Sequence, residues 1–216
     1  MKKQCCFIFN VMFFIALNSF GQNQAHPTEE IQKNYKLYNR SISAGKETGS
    51  VHLNAGTGEG IAWINGKKFK YGTIEFDVKG KDAFMASFVG IAFHGVNDAI
   101  YEAVYFRPFN FQSADLTRVM HAVQYIASPK FDWPVLRSTF PGKYEQPISP
   151  APDPNSWFHV SIKVESKNIS VYVNGGKSPV LSVEPLVETA GEMIGYWVGG
   201  DSAGDWKNFK IIPANQ

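Results

Sequence analysis

Cysteine is nearly missing from this sequence. The 216 residues hold two, Cys5 and Cys6, side by side and ahead of the apolar run from Phe7 to Leu17. That is the wrong place for lipid attachment at a cleavage site. Lys2 and Lys3 precede the run, and Ser19-Phe20-Gly21 puts small residues three and one positions before Gln22. This is the three-part layout of a secretory signal peptide. Residues 1–21 are therefore expected to leave, and both cysteines with them. The remainder then has no disulfide, no thiol nucleophile and no thiolate metal site. An exported chain of that kind depends on its hydrophobic core, and its expected location is secreted or periplasmic.

Long apolar runs are also lacking. Phe7 to Leu17 is too short to span a bilayer, and nothing later approaches about 20 apolar residues. No transmembrane segment is expected once the signal is gone. An excess of one charge is absent too. Lys and Arg number 21 against 19 Asp and Glu, and losing Lys2 and Lys3 leaves 19 against 19. Without a basic stripe, nucleic acid and anionic membranes are poor partners. Helical periodicity is missing except for a turn or two near Trp133 to Phe140, and there is no internal repeat.

What is present is alternation. Residues 22–45 read as a polar tail and lead-in, with Tyr35-Lys-Leu37-Tyr38 able to dock. From 46 to 216 a single domain is expected. Within it Ile74, Phe76 and Val78 fall on one face of a strand, and Thr73, Glu75 and Asp77 on the other. Phe88 to His94 is apolar on both faces and reads as a central strand. Ala103 to Arg107, His121 to Ala127, Phe158 to Val164, Ile169 to Val173, Val180 to Val183, Ile194 to Val198 and Phe209 to Ile212 follow. Asn65-Gly66 and Asn174-Gly175 are hairpin signals. Ten or so short strands at roughly 8–12-residue spacing predict an all-β fold, a two-sheet antiparallel jelly-roll sandwich. A long Pro-rich loop, 128–156, carries Phe131, Trp133, Phe140 and Tyr144. That is too aromatic for a disordered linker, and the loop is expected to fold back as a wall or lid, or to cover a sheet edge.

Three segments resemble the concanavalin A-like lectin/glucanase jelly rolls, in particular their laminin-G-like members. FKYGTIEFDVKG is similar to the strand that opens the family's first sheet. WFHVSIKVESKNISVYVNG is similar to its paired strands and V-x-V-N-G hairpin. GEMIGYWVGGDSAGDWKNFKI is similar to its closing strands. The likeness runs from about 49 to 212, and extends loosely to the bacterial 3-keto-disaccharide hydrolase-like domains. It implies a carbohydrate-facing protein without settling catalysis. The family's retaining glucanases carry E-x-D-x-x-E on one strand; here Glu75 and Asp77 are followed by Gly80, which counts against that chemistry.

Candidate contacts follow from parity. With Val104 and Phe106 toward the core, Tyr105 and Arg107 face out, an aromatic surface for a pyranose beside a guanidinium fork. Gln124, Glu102 and, from the Pro-rich loop, Trp133 join them as expected ligand contacts. His94, on the parity of Gly90 and Ala92, is the expected base if the chain is an enzyme, with Glu75 and Asp77 as the acidic strand. The bland alternatives are a structural histidine and a solvated strand face. No cofactor is expected; the Gly199–Asp205 loop leaves calcium open, although a tight turn explains it equally well. Two functions stand side by side: glycan binding through an aromatic and arginine-lined groove, or hydrolysis or elimination on 3-keto-glycosides or related glycosides.

Overall fold

A computed structural model describes residues 27–188 and 191–214. The expected signal peptide lies outside them. Two seven-stranded antiparallel sheets face each other. The first is built, in spatial order, from β1 (Tyr35–Tyr38), β4 (Gly60–Ile64), β13 (Met193–Gly199), β6 (Phe88–Gly95), β7 (Tyr101–Phe106), β8 (Val123–Ser128) and β9 (Glu145–Gln146). The second runs β12 (Leu181–Val183), β11 (Ile169–Val173), β10 (Phe158–Val164), β5 (Gly72–Lys79), β14 (Gly204–Pro213), β3 (Val51–Leu53) and β2 (Ile42–Ala44). Short helices, α1 (Pro27–Gln32), α2 (Pro108–Phe111), α3 (Leu116–Val119) and α4 (Trp133–Thr139), decorate the connections.

Alternation decides which face goes inward. Ile74, Phe76 and Val78 of β5 and Val160 and Ile162 of β10 are fully buried, opposite Val89, Ile91 and Phe93 of β6 and Val104 and Phe106 of β7. Phe106 meets Phe158 across the sandwich with ring centroids 5.2 Å apart, and Tyr196 stacks on Trp206. Each such side chain contributes about 1.5–3 kcal/mol on leaving water, so this core needs no cross-links.

Three strands were not legible. β1 and β2 fall inside the stretch read as a lead-in, and each closes one edge of a sheet. β9 comes from the Pro-rich stretch, which folds back on the first sheet. Asp132 caps α4 by accepting the Val135 N–H, and Leu136, Tyr144 and Ile148 are buried beneath. Asn174-Gly175 makes its hairpin, joining β11 to β12. Asn65-Gly66 turns but makes no hairpin: β4 pairs with β1 and β13, and the chain then crosses to the other sheet.

Candidate functional site

Strand register assembles one transverse row on the outer face of the first sheet. Ile61 pairs with Trp197, Trp197 with Gly90, Gly90 with Tyr105, Tyr105 with Gln124, and Gln124 with Glu145. The next row is Trp63, Gly195, Ala92, Ala103 and Ile126. Small residues at the centre leave a hollow that large rings fill. Trp197 lies 4.8 Å from Tyr105, and its indole N–H donates to the Tyr101 hydroxyl. Trp63 meets Tyr101 edge-on and lies against Gly95, where a Cβ would strike its ring at 2.5 Å.

Sequence parity therefore placed Tyr105, Arg107 and Gln124 together on the outer face. They are not open to solvent, however. The Tyr105 hydroxyl donates to Gln124 Oε1 at 2.9 Å, and the Arg107 guanidinium donates to that same oxygen, to Tyr105 Oη and to the His121 carbonyl. Burial pushes the Tyr105 phenol up to about 12 against the pull of Arg107. Gln124 Nε2 is buried without a partner among the described residues.

Glu145 anchors the β9 end of the row. It is 2 % exposed and accepts from two guanidinium nitrogens of Arg137, Nε at 2.8 Å and Nη2 at 2.6 Å. Arg107 lies 3.7 Å away. His121 Nδ1 is 2.9 Å from Glu145 Oε2 but off the line of a hydrogen bond. Burial alone would raise the Glu145 carboxyl; Arg137, His121 and Arg107 more than offset it and hold it below its ordinary value. Desolvation, ahead of these neighbours, lowers the His121 imidazole. Trp133, 45 % exposed, carries the Arg137 guanidinium 5.0 Å from its ring centroid, so this predicted contact stands at the rim.

The remaining candidates lie elsewhere. β6 bulges opposite the Met193–Gly195 step, and His94 adopts φ 52°. The bulge breaks the expected parity and turns His94 to the inward side. There Nδ1 is 2.6 Å from Glu102 Oε1 and Nε2 is 2.6 Å from the Lys70 carbonyl. Glu102 also points inward, as the parity of Val104 and Phe106 requires; it accepts from the Tyr125 hydroxyl, which in turn accepts the Leu186 N–H. With both ring nitrogens engaged, His94 is a poor proton acceptor for a substrate. Glu75 and Asp77 lie on the outer face of the second sheet, beside Lys210 and His159 respectively. The acid–base set expected for catalysis is thus split between two places, His94 inside the sandwich and Glu75 with Asp77 on the outer face of the second sheet.

Sequence reasoning missed a carboxylate over the aromatic row. Glu59 is exposed, and its Oε2 accepts the Tyr101 hydroxyl at 2.5 Å. Desolvation, then Glu59, pushes the Tyr101 phenol well above its ordinary value. Glu59 ends the Gly-rich loop 54–59, whose position is set from outside. The Arg40 guanidinium donates to the carbonyls of Asn39, Gly56, Thr57, Gly58 and Gly200, and the Asn39 side chain donates to those of Thr57 and Glu59. A loop glutamate gives no periodic signal. Trp197 did give one, in the small–aromatic alternation of G-Y-W-V-G. No three His, Cys, Asp or Glu side chains gather to hold a metal among the described residues. Asp205, from the loop considered for calcium, instead bonds His52 at 2.9 Å.

No protein-family description matches the chain, and no curated protein does. Solved structures do. The carbohydrate-binding module CBM66 of Bacillus subtilis superposes with a TM-score of 0.58 at 15% identity, covering 82% of this chain and 93% of that one. A Bacillus subtilis protein of unknown function with a galectin-like fold gives 0.55 at 12%, covering 85% and 90%. The β-glucanase of Bacillus licheniformis gives 0.52 at 13%, covering 83% and 87%. At such identities the likeness is one of fold: the chain is a two-sheet antiparallel jelly-roll sandwich.

Proposed function

We propose that the outer face of the first sheet binds a glycan, and that the chain works outside the cytoplasm after residues 1–21 are removed. The observation that carries this is the transverse row, in which aromatic rings and amide, guanidinium and carboxylate groups line up across one sheet. Sugars need that pairing: ring faces for C–H surfaces and fixed polar groups for hydroxyls. Neighbours in fold named as a carbohydrate-binding module and a β-glucanase support the reading.

Isothermal titration of the mature chain against a panel of oligosaccharides tests it, with indole fluorescence from Trp63 and Trp197 as a second readout. Glu59→Gln and Tyr105→Phe are each expected to weaken binding about tenfold, the scale of one lost hydrogen bond to a charged or buried partner. Failure of every oligosaccharide to bind would overturn the proposal. The exposed Glu59 carboxylate beside the Tyr101 hydroxyl favours a second reading, a hydrolase or lyase acting on 3-keto-glycosides or related glycosides. Product release abolished by Glu59→Gln would support it, and binding without turnover would reject it.

A further inference from the structure

Next to Trp63, in the row beside the transverse one, lies a cavity of a different character. Lys36, on β1, pairs with Trp63, a large ring of the outer face. Beyond them lies a cavity of about 640 Å³, within the size range of ligand sites. Lys36, Lys67, Lys68 and Lys70 line it, together with Trp63 and Glu192. Trp63 takes part in both regions: its indole N–H donates to Asp98 at 2.7 Å, and its ring meets Tyr101.

The charges do not cancel. Asp98 takes Lys36 at 3.2 Å, and Glu192 takes Lys68 at 3.0 Å. Four lysines against these two carboxylates leave an excess of two positive charges. Lys67 and Lys70 form no ion pair among the described residues, and both are exposed. The centre of the row differs, since there the exposed group is the Glu59 carboxylate. A chain with 19 Lys and Arg against 19 Asp and Glu after signal removal thus gathers cations at one end of its aromatic face.

We infer that the glycan bound on this face is anionic, with a carboxylate or sulfate group seated among Lys36, Lys67 and Lys70 while neutral parts of the chain lie along the row. This rests on the glycan-binding reading above and specifies the ligand class of the same site. The lysines supply point charges without a rigid fork, which suits an acidic sugar substituent held through water as well as directly.

The test compares neutral, uronate-bearing and sulfated oligosaccharides of equal length on the mature chain, at low and high salt. Acidic oligosaccharides should bind at least tenfold more tightly than neutral ones at low salt, with the advantage fading as salt rises. The two acidic arms distinguish carboxylate from sulfate. The double variant Lys67→Ala/Lys70→Ala should remove that advantage while leaving neutral binding unchanged, and Lys67→Arg/Lys70→Arg should retain it. These side chains are exposed, and an unchanged melting temperature checks that the variants fold. Equal affinity for neutral and acidic ligands would overturn the inference and spare glycan binding. So would an acidic preference that survives the double alanine variant. No binding of any oligosaccharide would overturn both.

Discussion

The outer faces of the two sheets are made from the same alternating strands and are used in opposite ways. On the second sheet the outward residues pair simply and near solvent: Glu75 with Lys210, Asp77 with His159, and Lys163 with Glu165. On the first sheet the outward residues are rings and buried polar groups bonded to one another, with Tyr105, Gln124 and Glu145 each at most 2 % exposed. A solvated face needs only to be polar. A face that hides an arginine and a glutamate must satisfy them internally, and that expense points to function.

The contrast can be broken most sharply at Glu145. Glu145→Gln leaves Arg107 and Arg137 without their carboxylate and is expected to lower the unfolding free energy by about 3 kcal/mol in denaturant titration. A loss under about 1 kcal/mol would make the first sheet's face no different from the second's. Acid should sharpen the comparison. Glu145 and His121 both titrate below their ordinary values in the fold. Their contribution is therefore complete above the unfolded values, about 6.5 for His and about 4.3 for Glu, and is lost as pH falls through the folded ones. Melting temperatures measured from neutral to acid pH should decline, and Glu145→Gln should flatten the acid part of that decline. The smallest effects belong to the second sheet. Glu75→Gln and Asp77→Asn should each cost less than about 1 kcal/mol and leave oligosaccharide affinity unchanged, because their partners are partly solvated.

Much of the fold was legible because period-two patterning survives wherever a strand has one dry side, as in β5 and β10. β1 and β2 are edge strands of four and three residues, too short for a period-two pattern to stand out from the polar stretch around them. β9 has two residues, and only pairing with β8 defines it. Of the site, parity found the Tyr105, Arg107 and Gln124 face, because those strands run regularly. It failed at His94, where one extra residue in a bulge reverses the side chain's direction. Glu102 is a different case: it shares the parity of Val104 and Phe106 and points inward, away from the expected ligand contacts. Glu59 and Glu145 reach the row from loops or an edge, where contact depends on tertiary folding.

Arg40 holds five carbonyls, those of Asn39, Gly56, Thr57, Gly58 and Gly200, from three separate stretches of chain with one planar group. Lysine, a single rounded ammonium, has no equivalent span. The consequence is leverage: the pose of a carboxylate above Tyr101 is governed by a residue that need never meet a sugar. Mutational surveys that score only ligand contacts would pass over the position that keeps the roof in place.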